Sequence, residues 1–81
     1  MPVKIAQLAF SPASVNVPVG GTVTWTNGDP VDHTVTSMGQ GPLGSPTIGA
    51  GGTYSSTFTT AGTYKYYCAI HPDMMGTVVA G

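Results

Sequence analysis

One cysteine, two histidines and a methionine are the side chains best suited to chemistry in this 81-residue chain. Cys68, His71 and Met74 follow one another at three-residue intervals, and His33 lies 35 residues before the cysteine. A strand pattern precedes Cys68 and another follows Met74, so the segment between them must turn back on itself. The three side chains can then face a common point, which His33 can approach from the end of a neighbouring strand.

The softness of these donors favours copper. Two imidazoles, one thiolate and a weakly bound thioether describe a blue-copper electron-transfer centre. Zinc remains an alternative, because it accepts two histidines and one cysteine, and the carboxylate of Asp32 or Asp73 could fill its fourth position. The single cysteine excludes an internal disulfide, a four-cysteine iron–sulfur cluster and a two-cysteine zinc finger.

The elements that must position these residues are predicted to be short β-strands. Twelve glycines and seven prolines, with many threonines and valines, oppose long helices and favour strands joined by turns. Short strands with turns at regular spacing predict an all-β, two-sheet Greek-key sandwich of about seven strands with no long helix. The predicted strands are Val3–Ala9, Ser14–Val17, Thr22–Asn27, His33–Ser37, Thr53–Thr59, Gly62–Cys68 and Gly76–Ala80.

Two of these strands show which face should be buried. Val23 and Trp25 share one face of their strand while threonines occupy the other. Tyr64, Tyr66 and Cys68 likewise share one face of the strand that leads into the cysteine segment. The glycine-rich stretch 38–52 is too long for a tight hairpin and is predicted to be an irregular crossover loop.

Charge and length limit the classes of function. Only five of the 81 side chains are charged, and the net charge is −1, which excludes a basic groove for nucleic acid. No apolar run reaches the roughly 18 residues of a membrane helix, and no secretory signal is visible. The length predicts one domain, residues 1–81, which is either a mature form or part of a longer protein.

The chain resembles the cupredoxins, the type 1 blue copper proteins, and among them the amicyanin-like and plastocyanin-like proteins. The segments that carry the resemblance are 17–27 (VPVGGTVTWTN), 32–35 (DHTV) and 56–79 (STFTTAGTYKYYCAIHPDMMGTVV). The resemblance implies one copper ion per chain and single-electron shuttling between redox partner proteins. The copper ligands it implies are His33, Cys68, His71 and Met74.

The resemblance also implies how such a protein meets its partners. We expect a monomer that works in the periplasm or another extracytoplasmic compartment. Redox partners are expected to dock on an apolar surface around His71, here called the docking patch. Its members are Met38, Ala69, Ile70, Pro72 and Met75.

Two positions depart from the pattern of these relatives. Thr34 stands where they usually carry asparagine, and its shorter reach predicts a weaker link between the two ligand-bearing segments. Ile70 stands where they often carry proline, and its backbone N–H is expected to reach the Cys68 sulfur. Asp29 and Asp32 are expected to serve the turn before the first histidine, because aspartate readily bonds its own backbone there.

Three other functions compete with electron transfer. A copper enzyme needs further histidines for a substrate-binding metal, and none remain beyond His33 and His71, so we expect no enzyme. The chain could still be the electron-relay domain of a larger copper oxidoreductase. A copper carrier that delivers the metal is a further alternative, whereas a thiol enzyme using Cys68 and His71 is disfavoured because no substrate cleft is indicated.

Overall fold

A computed structural model describes residues 1–39 and 41–81, and it contains only strands and irregular segments in those ranges. No helix in the described part of the chain is long and apolar enough to cross a membrane. The strands are β1 Pro2–Ala6, β2 Ala9–Ser11, β3 Ser14–Val17, β4 Gly21–Asn27, β5 Thr36–Ser37, β6 Thr53–Phe58, β7 Gly62–Tyr67 and β8 Met75–Ala80.

These strands form two four-stranded sheets, which confirms the predicted cupredoxin-like sandwich. One sheet has the order β2-β1-β4-β6 and the other has the order β3-β8-β7-β5. β1 pairs with β4 and β3 pairs with β8 in parallel, while the remaining pairs are antiparallel. β7 and β8 therefore lie side by side at the centre of the second sheet, and the cysteine segment connects them.

The core lies between the two sheets, and both predicted faces are confirmed. Val23 and Trp25 of β4 and Tyr66 of β7 are fully buried, and the Trp25 and Tyr66 rings pack edge to face with centroids 5.4 Å apart. Tyr64 is half-buried against the core. Because alternate residues of a strand point the same way, this packing also turns Cys68 inward at the end of β7.

The predicted strand Val3–Ala9 is wrong, because it is two strands separated by a tight turn. Gln7 and Leu8 have φ angles of 53° and 58°, in the left-handed region that residues with a side chain rarely enter. The chain reverses there, and β1 pairs antiparallel with β2. The sequence offered no glycine or asparagine at the turn to indicate the reversal.

The predicted strand His33–Ser37 is mostly irregular, and only Thr36–Ser37 pairs as a strand. His33 instead exchanges two backbone hydrogen bonds with Ile48, at 3.1 and 2.7 Å. The loop predicted over residues 38–52 thus runs back along the histidine segment and holds it. Residue 40 of that loop lies outside the described residues, and no named strand lies in the described remainder.

Candidate metal centre

Three of the four predicted ligands converge at one end of the sandwich. The ligand atoms of His33, Cys68 and His71 all lie within 4.8 Å of one another. The Cys68 sulfur is 3.6 Å from Nδ1 of His33 and 3.8 Å from Nδ1 of His71. His33 and Cys68 are fully buried and His71 is half-buried, so one edge of the cluster reaches the surface.

The segment between β7 and β8 turns back on itself as predicted. The Cys68 N–H donates to the Met74 carbonyl at 3.0 Å, and the Met74 N–H donates to the His71 carbonyl at 2.9 Å. These two bonds fix the loop at both ends. Met74 is 4% exposed at the end of the loop and lines the same surface cavity as His71.

Asp29 contacts the cluster, which the sequence did not indicate. Its Oδ2 lies 2.8 Å from Nε2 of His33, and its carboxylate also accepts the backbone N–H groups of Gln7 and Leu8 at 2.7 and 3.0 Å. The carboxylate of Asp29 therefore bonds the β1–β2 turn and His33, and not its own backbone as expected. The Leu8 N–H is the main cause that holds the pKa of Asp29 below its ordinary value, and His33 acts in the same direction.

Asn27 is a second residue whose role the sequence did not show. It is fully buried at the end of β4, and its Nδ2 donates to the carbonyls of Val31 and Ile48, both at 2.9 Å. Its Oδ1 accepts the Asp29 N–H at 2.9 Å. One side chain thus ties the 28–32 turn to the loop that pairs with His33. A lone asparagine at a strand end gave no signal of this network.

Thr34 links the two ligand-bearing segments directly. Its backbone N–H donates to the Cys68 sulfur at 3.3 Å, and its Oγ1 accepts the Ala69 N–H at 2.8 Å. The short threonine side chain therefore does reach the cysteine segment at this position. The expected donor at Ile70 is not found: in the described part of the chain, the backbone groups that contact the sulfur belong to Thr34 and His71.

The environment of Cys68 favours its thiolate. Burial is the largest single influence and favours the neutral thiol, but hydrogen bonds to the sulfur, of which the one from the Thr34 N–H contributes most, outweigh it. The pKa of the Cys68 thiol is thereby lowered from 9.0 to about 6. A cysteine that is ionised at neutral pH is the form that binds metals.

The chemistry of the donor set fits a thiophilic metal ion. A carboxylate only accepts hydrogen bonds, so Asp29 requires the hydrogen of His33 on Nε2 and leaves the lone pair of Nδ1 facing the sulfur. An anionic sulfur and an imidazole lone pair 3.6 Å apart repel unless a cation lies between them. In the described residues this cluster includes neither Asp32 nor Asp73, so the zinc alternative lacks its proposed carboxylate ligand.

Part of the predicted docking patch lies at the exposed edge of the cluster. Ile70 is 47% exposed and lines a cavity with His71, whereas Met38 and Met75 are 46% and 54% exposed and line a separate cavity beside Lys65. A cavity of about 340 Å³ opens beside His71, and Leu8 from the β1–β2 turn forms part of its wall. Leu8 is 52% exposed and was not among the residues expected at this surface.

Comparison with known sequences gives a family match over the whole chain. The family model for copper binding proteins of the plastocyanin/azurin family matches residues 1–81. Amicyanin of Paracoccus denitrificans is 41% identical over 81 residues, which is 95% of this chain and 62% of that protein. The chain therefore spans less than two thirds of that relative's length.

Solved structures with the same fold include copper proteins. A purple cupredoxin from Nitrosopumilus maritimus has a TM-score of 0.92 and 32% identity, with 99% of this chain and 98% of that chain covered. A Cu(I) form of an amicyanin variant also has a TM-score of 0.92, with 40% identity, 100% of this chain covered and 81% of that chain covered.

Proposed function

The chain belongs to the plastocyanin/azurin family of copper-binding proteins, and we propose that it is a type 1 copper protein that shuttles single electrons between redox partner proteins. The observation that carries this proposal is the convergence of one thiolate-forming cysteine and two imidazoles within 4.8 Å. When bound there, copper supplies a one-electron exchange between Cu(II) and Cu(I). The rate of electron exchange and the choice of partner then depend on how this chain holds the three donors and exposes them at the surface.

We assign the ligand set to four residues. Nδ1 of His33, Sγ of Cys68 and Nδ1 of His71 supply the three close donors, which their mutual distances support. The thioether of Met74 supplies a fourth, weaker donor, and its burial at the end of the same loop supports this assignment. One site of this composition holds one copper ion per chain.

The chain restrains this site from both sides. His33 is fixed by Asp29 through its ring and by Ile48 through its backbone, and Cys68 is fixed by Thr34 and by the loop bond to Met74. Rigid ligands move little when the charge at the site changes, because packed side chains and bonded backbone resist displacement. Small rearrangement is what rapid exchange of a single electron requires.

His71 provides the route to a partner. It is the half-buried member of the cluster, and Ile70 and Pro72 of the docking patch line the cavity beside it. An apolar surface with few charges favours brief contact with a partner protein by exclusion of water. From the family resemblance we propose that this exchange takes place in the periplasm or another extracytoplasmic compartment. The chain acts there as an electron carrier between redox partner proteins and not as an enzyme.

Addition of Cu(II) to the metal-free protein tests the site. We expect an intense visible band from sulfur-to-copper charge transfer at one equivalent of metal, and reversible bleaching when the protein is reduced. The matched control is Cys68→Ser, which keeps the size of the side chain and removes the soft sulfur donor. A wild-type protein that stays colourless with Cu(II) contradicts the proposal.

A second measurement separates electron transfer from copper delivery. An electron carrier keeps its metal through repeated oxidation and reduction in the presence of a competing Cu(I) chelator. A delivery protein releases Cu(I) to the chelator during the first reduction. Loss of copper on reduction would therefore move the assignment to the copper-carrier alternative while leaving the site intact.

A further inference from the structure

We propose that Asp29 is the positioning residue for His33, and that its carboxylate lowers the reduction potential of the copper centre. The inference rests on the proposed function, because it assigns a role at the same site. It goes beyond that function by naming a residue outside the four ligands that sets how strongly one of them binds.

The carboxylate is held in one place and one orientation. Oδ1 accepts the Gln7 N–H at 2.7 Å, while Oδ2 accepts the Leu8 N–H at 3.0 Å. The same Oδ2 lies 2.8 Å from Nε2 of His33. Because three donors occupy both oxygens, the carboxylate can neither rotate nor withdraw without breaking a bond to the β1–β2 turn.

The imidazole ring is correspondingly fixed. His33 is fully buried, and its backbone is bonded to Ile48 on both the N–H and the carbonyl side. With Nε2 committed to Asp29, the ring presents Nδ1 to the Cys68 sulfur at 3.6 Å. Asp29 therefore selects both the tautomer and the direction of the ligand lone pair.

The electronic consequence has a definite sign. A hydrogen bond from Nε2–H to a carboxylate leaves more electron density on the ring and makes Nδ1 a stronger donor. A stronger donor stabilises Cu(II) more than Cu(I), so the reduction potential falls. The two backbone N–H groups keep the negative charge on Asp29, because they stabilise the carboxylate and not the protonated acid.

A purely structural role is the competing explanation. Asp29 also holds Gln7 and Leu8 in their left-handed conformations, at φ angles of 53° and 58°. If that were its whole purpose, its removal would change the stability of the β1–β2 turn and leave the copper centre as it was. The reduction potential and the state of the His33 ring distinguish the two roles.

The main comparison is Asp29→Asn against Asp32→Asn. Both variants remove one negative charge from the same turn, but Asp32 is exposed and lies outside the ligand cluster. Losing a partner behind a metal ligand typically weakens metal binding by about 10- to 100-fold, and we expect Asp29→Asn to impose a loss of this size on Cu(II) while leaving the affinity for Cu(I) nearly unchanged. At ~59 mV per tenfold for one electron, this raises the potential by about 59 to 118 mV. Asp32→Asn should give only a small fraction of that shift.

The metal-free protein gives a readout that needs neither copper nor a variant. We expect NMR to show His33 with its hydrogen on Nε2, as a slowly exchanging, strongly downfield proton. A metal-free His33 with its hydrogen on Nδ1 overturns the inference. So does an equal potential shift in Asp29→Asn and Asp32→Asn while the visible band persists. Absence of that band in the wild type contradicts the proposed function instead and leaves the NMR result interpretable.

Discussion

The backbone N–H of Thr34 donates a hydrogen bond to the sulfur of Cys68 at 3.3 Å, across 34 residues of sequence. The hydroxyl of the same threonine accepts the Ala69 N–H at 2.8 Å. One residue therefore ties the segment that carries the first histidine to the segment that carries the cysteine. The two bonds hold these segments in a fixed position relative to each other. A metal site formed between the segments can keep its geometry only if their relative position is fixed.

Thr34→Val tests the hydroxyl half of this link. Valine keeps the shape of threonine but leaves the partly buried Ala69 N–H without an acceptor. We expect a loss of about 1–3 kcal/mol in the free energy of unfolding, the usual cost of an unpaired buried donor. Chemical denaturation of the metal-free protein measures it. Thr34→Ser is the control, and equal losses in the two variants would show that the methyl group and not the hydroxyl matters.

The two adjacent methionines give a matched test of the fourth ligand. Met74 is 4% exposed and Met75 is 54% exposed. We expect Met74→Leu to raise the reduction potential and alter the visible spectrum, because loss of a weak thioether donor disfavours Cu(II). Met75→Leu should leave both unchanged. If the two variants behave alike in voltammetry, Met74 is not a ligand.

The acidity of the Cys68 thiol predicts a pH dependence in the metal-free protein. We expect the ultraviolet absorbance of its thiolate to stay constant at pH values well above the pKa of about 6 and to disappear as the pH falls through that value. The pKa in the folded state lies below the ordinary value of 9.0, so ionisation stabilises the fold. This stabilisation is complete above 9.0, declines between 9.0 and about 6, and is absent below.

The variant Cys68→Ala serves as the reference for that dependence. The difference in unfolding free energy between wild type and Cys68→Ala should shift in favour of the wild type as the pH rises through this window, because the variant has no thiol to ionise. A difference that stays constant with pH would show that the thiol titrates alike in both states.

The low charge predicts that electron exchange depends little on salt. The net charge is −1 with five charged side chains, and one of them, Asp29, is buried. Long-range steering therefore contributes little to encounter. We expect the self-exchange rate between oxidised and reduced copies, measured by NMR line broadening, to change less than about threefold as salt is raised. Lys65→Glu should increase the salt dependence, since it takes the net charge of each copy from −1 to −3 by replacing one positive charge with a negative one.

Close packing beside the site predicts a stability difference between two glycine variants. A Cβ atom at Gly76 of β8 would overlap the ring of the fully buried Tyr66, whereas a Cβ at Gly44 would meet nothing within 4 Å. We expect Gly76→Ala to lower the free energy of unfolding by about 1–3 kcal/mol through overpacking. Gly44→Ala should be nearly neutral. Thermal unfolding of both variants checks the pair, and an equally stable Gly76→Ala would contradict it.

Much of the fold was predictable because alternation in a strand is a local property. The buried faces of Val23, Trp25, Tyr66 and Cys68 follow from a period of two residues, and the structure confirms each of them. The composition, rich in glycine and threonine and poor in charge, likewise excluded helices and nucleic-acid grooves. The reversal at Gln7–Leu8 was missed because no local turn signal marks it.

The convergence of Cys68, His71 and His33 also followed from the sequence alone, because residue type and spacing limit which donors can meet and which metal they suit. The roles of Asp29, Asn27 and Thr34 did not. Each depends on groups brought from other segments: the N–H of Leu8, the carbonyl of Ile48 and the N–H of Ala69. Hydrogen bonds between distant segments produce no periodic pattern in the sequence. Only the tertiary structure therefore decides which polar side chain holds a ligand in place.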